Sequence, residues 1–181
     1  GTNTDGAGAL WSLKSVYGDL KGARVLLLGA GGAALAVAIY VSKALSKKGK
    51  IFISNRTKKP LIELKKKLSN IIREVDLLPW PPPIEKVKEV DIIINCSSIG
   101  FENFKKDKKG IHSLKFFSPL GNINKNIRVQ KSNELLKDYA YKAAKDISKN
   151  VLETIRFLSK CQNPMVFDIV YQPNISYLLY L

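Results

Sequence analysis

The sequence predicts an α/β fold, a parallel sheet wound on both faces by helices. Three observations predict it. Short apolar runs alternate with helical patterns along residues 1–100. The runs are apolar throughout, as strands buried on both faces are. A Gly-Ala-Gly-Gly turn joins the first run directly to the first long apolar helix.

Each element follows from its residues. Residues 6–19 read as a helix, with Leu10, Leu13, Val16 and Tyr17 on one stripe, and Gly22 ends that pattern. Arg24–Leu28 is the first strand, Gly29–Gly32 a turn, and Ala33–Leu45 an apolar helix. Lys50–Ser54 is the second strand. Pro60 suits a first helical turn, and Leu61, Leu64 and Leu68 continue that helix. Val75–Leu78 is a third strand. Trp80-Pro81-Pro82-Pro83 can be neither helix interior nor central strand, so it is a stiff loop. Asp91–Asn95 is a fourth strand.

Beyond Gly100 the pattern weakens. Residues 102–131, rich in Lys and Asn, read as a long loop. Residues 132–160 read as an amphipathic helix capped by Ser132. Its expected stripe is Leu135, Leu136, Tyr139, Ala143, Ile147, Leu152, Ile155 and Leu158. Met165–Val170 is the last strand. The expected organisation is one domain over 1–181 carrying a Lys/Asn-rich helical insertion at about 102–163.

Composition narrows the function classes. The 181 residues are 45% hydrophobic and carry a net charge of +15. No apolar run reaches the roughly 18–20 residues of a membrane helix, and no basic-then-apolar leader opens the chain. Residues 1–100 hold 16 basic and 8 acidic groups, and residues 101–160 hold 14 and 6. An excess so evenly spread argues for a solvated lysine-rich surface and against a nucleic-acid face. Cys96 and Cys161 have no metal-ligand spacing, and two cysteines make no disulfide framework, which favours a reducing compartment. One histidine, His112, argues against a His-rich metal centre or a Ser-His-Asp triad.

The turn carries the first functional signal. Gly29-Ala30-Gly31-Gly32-Ala33-Ala34 satisfies G-x-G-x-x-A between a strand and a helix, the Rossmann-like dinucleotide fingerprint. Gly29 permits the tight turn, Gly31 lets the backbone approach a pyrophosphate, and Ala34 lets the helix pack on the sheet. The helix N-terminus faces the phosphates. The second strand ends in Asn55-Arg56-Thr57-Lys58-Lys59, without the Asp or Glu that accepts ribose hydroxyls in NAD binders. A carboxylate would repel a 2′-phosphate, whereas Arg56 can grip one bidentately and Lys58 and Lys59 add positive potential. The expected cofactor is therefore NADP.

Four segments together resemble the shikimate dehydrogenase (quinate/shikimate dehydrogenase) family: Asn3-Thr4-Asp5-Gly6; the Gly29–Ala34 turn with Asn55-Arg56-Thr57; Ile94-Asn95-Cys96-Ser97-Ser98-Ile99-Gly100; and Phe167-Asp168-Ile169-Val170-Tyr171-Gln172-Pro173. The resemblance covers residues 1–100 and 164–179 well and 101–163 poorly. It implies NADPH-dependent reduction of 3-dehydroshikimate to shikimate in the aromatic amino acid pathway, by a cytoplasmic enzyme, or an organellar one in a eukaryote. It implies that Asp5 is half of an acid–base pair with a Lys, and that Asn3, Thr4, Asp5 and Tyr171 meet the substrate. It places Cys96, Ser97, Ser98 and Ile169 beside the nicotinamide half of the cofactor. Cys96 and Ser97 stand where Ala and Thr are common. From the residues alone, Asp5 is a helix N-cap and Cys96 a packed thiol.

The family's N-terminal substrate domain, which bears the Lys, precedes Asn-Thr-Asp-Gly, and a Gln-bearing helix follows the last strand. Neither is among these residues, so the expectation is that the 181-residue chain binds NADPH weakly and turns over no substrate alone. Two readings compete: another NADP-dependent oxidoreductase on the same cofactor domain, and a non-catalytic homologue serving as a nucleotide-binding or interaction module.

Overall fold

The computed structural model describes residues 4–72, 74–108, 110–124, 127–129 and 135–181. The chain divides into two compact units. The first comprises Gly1–Ser97 and Leu158–Ile169, the second Ser98–Phe157 and Val170–Leu181.

The first unit is a five-stranded parallel sheet. Its strands are β1 (Arg24–Leu28), β2 (Lys50–Ser54), β3 (Glu74–Leu78), β4 (Ile92–Asn95) and β7 (Met165–Asp168), in the order β3-β2-β1-β4-β7. β1, β2 and β4 are buried along nearly their whole lengths, as their apolar runs require. The strand order reverses between β1 and β4, which opens a crevice at their carboxyl ends. The register aligns Leu28 with Ser54 on one side and Asn95 on the other, and Asn95 with Asp168.

The helices of this unit are α1 (Thr4–Tyr17), α2 (Gly32–Leu45), α3 (Lys58–Leu68) and the short α4 (Ile84–Val87). α2 is apolar nearly all round because it packs on both the sheet and α1; Ala34, Val37, Val41 and Leu45 are buried. α1 begins two residues before the expected start, so Asp5 lies within its first turn; this corrects the N-cap reading. Its buried face is Gly6, Ala9 and Leu13, whereas Val16 is 76% exposed. A Cβ on Gly6 would stand 2.6 Å from the Ala36 carbonyl oxygen and from the Tyr40 ring, so α1 crosses α2 at glycine contact. The last strand ends at Asp168, before the expected Val170.

In the second unit, β5 (Phe104–Asp107) and β6 (Gly110–Ser113) pair antiparallel, and Val129 adds a bridge to Ile111. The loop expected over 102–131 thus contains a hairpin. α5 (Leu135–Leu158) matches the expected helix, but Ser132 lies outside the described residues. Its inward face is Tyr139, Ala143, Asn150, Thr154 and Phe157, while Leu152 and Ile155 are exposed, which corrects the apolar stripe. Asn150 explains the shift. Its Oδ1 accepts the Ser118 N–H at 2.8 Å, and its Nδ2 donates to the carbonyls of Ser118 and Asn122 at 3.0 and 3.1 Å. α6 (Tyr177–Tyr180), which the sequence reading did not anticipate, closes the chain. The segment expected as an insertion supplies most of this second unit.

Candidate functional site

The candidate site lies at the carboxyl ends of the parallel strands. Gly29 leaves β1 with φ 110°, in the left-handed region that favours glycine. A Cβ there would stand 3.0 Å from the carbonyl carbon and oxygen of Cys96 and 3.1 Å from the Ser97 nitrogen. Its N–H donates to the Ser54 carbonyl at 2.8 Å, and the Cys96 N–H donates to the Leu28 carbonyl at 2.8 Å. The turn is therefore pinned to both neighbouring strands.

Gly31 caps α2 with φ −85°, and the first helical bond runs from the Leu35 N–H to the Gly31 carbonyl at 3.0 Å. The amides of Gly32, Ala33 and Ala34 precede that bond, at the positive end of a 14-residue helix with no acidic residue in its first turn. A Cβ on Gly31 or Gly32 would meet nothing within 4 Å. Here the chain leaves space where Gly29 has none. A cleft of about 320 Å³ lies against the turn, lined by Ala30, Gly31, Gly32, Pro60, Glu63 and Lys67. Open glycines, forward amides and a carboxylate-free helix start fit a diphosphate.

A second cavity, of about 480 Å³, lies beyond β2, with Asn55, Arg56, Lys58, Ile62, Leu77 and Trp80 among its walls. The Asn55 Nδ2 donates to the Thr57 carbonyl and to its Oγ1, at 3.1 and 3.0 Å, and so shapes the loop. The Ser54 hydroxyl donates to the Pro79 carbonyl at 2.6 Å, tying β2 to the Trp80 loop. The Arg56 guanidinium sits over the Trp80 ring, 5.9 Å from its centroid. Lys58 and Lys59 occupy the first turn of α3 with no acidic residue beside them there. Cations at a helix N-terminus oppose its dipole, so this corner favours an anion. The sequence reading singled out the basic residues and missed the Trp80 wall; its signal was the aromatic heading the proline run.

Across the crevice, Asn95 is fully buried. Its Nδ2 donates to Asp168 Oδ1 at 2.9 Å, and its Oδ1 accepts the Ser97 N–H at 3.0 Å and the Ser97 hydroxyl at 2.7 Å. Ile169 continues beyond β7, its N–H donating to the Asn95 carbonyl at 3.1 Å. Burial, and secondarily the charge of Asp168, push the Cys96 thiol well above its usual range. Cys96 is thus a packed, protonated thiol.

Thr4 and Asp5 are exposed at the start of α1, and Asn3 lies outside the described residues. Ser98 and Tyr171 belong to the second unit, where Tyr171 is 73% exposed with its ring edge-on to Phe101 at 5.8 Å.

A parallel sheet whose strand order reverses at an open glycine turn, with a basic aromatic-walled cavity beside it, defines a Rossmann-like domain. The profile of the family described as shikimate / quinate 5-dehydrogenase matches residues 12–110. The chain belongs to that family. It is 41% identical over 104 residues to the shikimate dehydrogenase (NADP(+)) of Aquifex aeolicus, covering 57% of this chain and 35% of that protein. It is 37% identical over 103 residues to the Staphylococcus haemolyticus enzyme of the same name, with the same coverage. A crystal structure of a shikimate dehydrogenase in complex with NADP+ is similar with a TM-score of 0.58 and 26% identity, covering 98% of this chain and 46% of that one. The fold is shared with Listeria monocytogenes shikimate 5-dehydrogenase in complex with shikimate and NAD, at a TM-score of 0.63 and 19% identity over 98% of this chain and 48% of that one. The chain thus spans about a third of the length of the curated relatives it matches.

Proposed function

We propose that this chain is the cofactor-binding part of an NADP-dependent shikimate dehydrogenase that reduces 3-dehydroshikimate to shikimate. The observation that carries the reading is the cation corner at the end of β2: Arg56, Lys58 and Lys59 stand where a carboxylate would select NAD. Gly29, Ala30, Gly31, Gly32 and Ala33 would hold the diphosphate, and Asn55 through Lys59 the 2′-phosphorylated adenosine. Cys96, Ser97, Ser98 and Ile169 would flank the nicotinamide half. When bound, the reduced cofactor supplies hydride to the substrate carbonyl.

The chain's own residues then orient and protonate. Reduction leaves an oxygen that needs a proton, so a positioned acid–base pair is required. Asp5 would fill half of that pair, holding a lysine of an N-terminal substrate domain near that oxygen. Asn3, Thr4 and Tyr171 would bind substrate hydroxyls. The corollary is that the 181 residues bind cofactor without turning over shikimate. Among the described residues no helix is long and apolar enough to cross a membrane. The compartment proposed, from the family resemblance, is the cytoplasm, or an organelle in a eukaryote.

The test is titration of the chain with NADPH and NADH at two salt concentrations. NADPH should bind at least about 10-fold tighter, the scale of one charge-assisted contact, and the margin should narrow with salt. Equal affinities would remove the NADP assignment. Binding of neither nucleotide would overturn the reading.

A further inference from the structure

We infer that Asn95 and Asp168 hold the Ser97 hydroxyl as a hydrogen-bond acceptor, facing a donor group on the non-adenosine half of the dinucleotide. The inference rests on the cofactor reading above and adds a polarity to it. Asn95 Oδ1 lies 3.0 Å from the Ser97 nitrogen and 2.7 Å from its Oγ. A backbone N–H can be received only by the amide oxygen, so the orientation of the Asn95 amide is determined. The carboxylate of Asp168, an acceptor when ionised, takes the opposite end of that amide at 2.9 Å. An amide oxygen cannot donate. In the 2.7 Å contact Ser97 must therefore be the donor, and its single proton is committed to Asn95. Whatever else Ser97 Oγ meets, it meets through a lone pair.

The strand order says what it meets. From a diphosphate at the Gly29 turn, the adenosine side runs towards β2 and Arg56, while the other half runs over β4, where Ser97 stands half-buried. Two kinds of group on that half can donate: the carboxamide N–H2 and the ribose hydroxyls. Asn95 touches neither, so it and Asp168 are positioning residues.

The experiment measures dissociation constants for 2′,5′-ADP, NADP+ and the 3-acetylpyridine analogue of NADP+, which lacks the carboxamide donor. The proteins are the full chain, its Ser97→Ala, Ser97→Thr, Asp168→Ala and Asp168→Asn variants, and the double variant carrying Ser97→Ala and Asp168→Ala. Ser97→Ala should weaken NADP+ about 3- to 10-fold, the scale of one hydrogen bond, and leave 2′,5′-ADP unchanged. Ser97→Thr keeps the hydroxyl and should bind as the parent does. Asp168→Ala should reproduce the Ser97→Ala loss, Asp168→Asn should restore most of it through its own amide oxygen, and the double alanine variant should lose no more than either single one. A loss confined to NADP+ assigns the donor to the carboxamide; an equal loss for the acetylpyridine analogue assigns it to a ribose hydroxyl. Unchanged NADP+ binding in Ser97→Ala, or equal losses for NADP+ and 2′,5′-ADP, overturns the inference. Failure of the parent chain to bind 2′,5′-ADP strikes instead at the cofactor reading, and the inference falls with it.

Discussion

Arg56 and Trp80, 24 positions apart, meet with the guanidinium carbon 5.9 Å from the ring centroid, in the wall of the cavity beyond β2. The pairing holds a planar cation on an apolar wall and leaves its N–H fork available to an anion. It also makes the role of Arg56 separable from that of the glycine turn.

Arg56→Ala should therefore act on one phosphate. Removing a charged hydrogen-bond donor is worth about 1.5–3 kcal/mol, so NADPH affinity should fall by roughly 10- to 100-fold while NADH changes little. Paired titrations of the variant check this. Equal losses for both nucleotides would detach Arg56 from the 2′-phosphate.

Gly29 and Gly31 should separate stability from binding. An alanine at 29 inherits a φ of 110° and a 3.0 Å approach to the Cys96 backbone. Backbone strain alone is worth about 1–3 kcal/mol, so Gly29→Ala should lower the urea midpoint. An alanine at 31, at φ −85° with open space around its Cβ, should leave that midpoint nearly unchanged and weaken dinucleotide binding. Urea denaturation and cofactor titration of both variants make the comparison.

Asn150→Ala should destabilise the second unit. The change strands the buried Ser118 N–H and two carbonyls that Asn150 now serves. One unsatisfied buried group costs about 1–3 kcal/mol. Faster amide exchange at Ser118, with slow exchange retained in β1 and β4, is the expected signature.

Stability should fall at alkaline pH. Burial raises the Cys96 thiol, raises Cys161 to about 11, and raises the Tyr139 phenol. Each folded-state value lies above its unfolded one, so the neutral form is favoured in the fold. That contribution is complete below the unfolded value and is lost as pH rises towards the folded one. Denaturation midpoints should hold to about pH 8.5, the ordinary thiol value, and decline beyond it. Cys96→Ala should flatten the decline. Native Cys96 should also resist thiol reagents at pH 8, and rapid alkylation there would contradict its burial.

The strands of the first unit were legible because burial on both faces writes itself as unbroken apolar runs, such as Val25–Leu28 and Ile92–Ile94. The glycine turn was legible because backbone conformation and close approach restrict the residue type directly. The β5–β6 hairpin was not. Phe104 and Ile111 are isolated apolar residues in polar surroundings, and the main-chain ladder sets them opposite Ser113 and Lys106, not each other. α5 misled for a related reason: Asn150 turns inward because the main chain of Ser118 and Asn122 awaits it, and Thr154 is buried with its hydroxyl bonded back to the Asn150 carbonyl of the same helix, while Leu152 and Ile155 stay out.

Sequence alone determined the parallel α/β sheet, the phosphate-type turn and the basic end of β2, since each depends on local periodicity, steric allowance or charge. Tertiary structure alone decided that Trp80 walls the cavity beside Arg56, that Asp168 anchors Asn95 across 73 positions, and which face of α5 is buried. Those are contacts between distant segments. Hydrogen-bond and packing complementarity choose them only once the chain has closed, and no residue records its partner in its own neighbourhood.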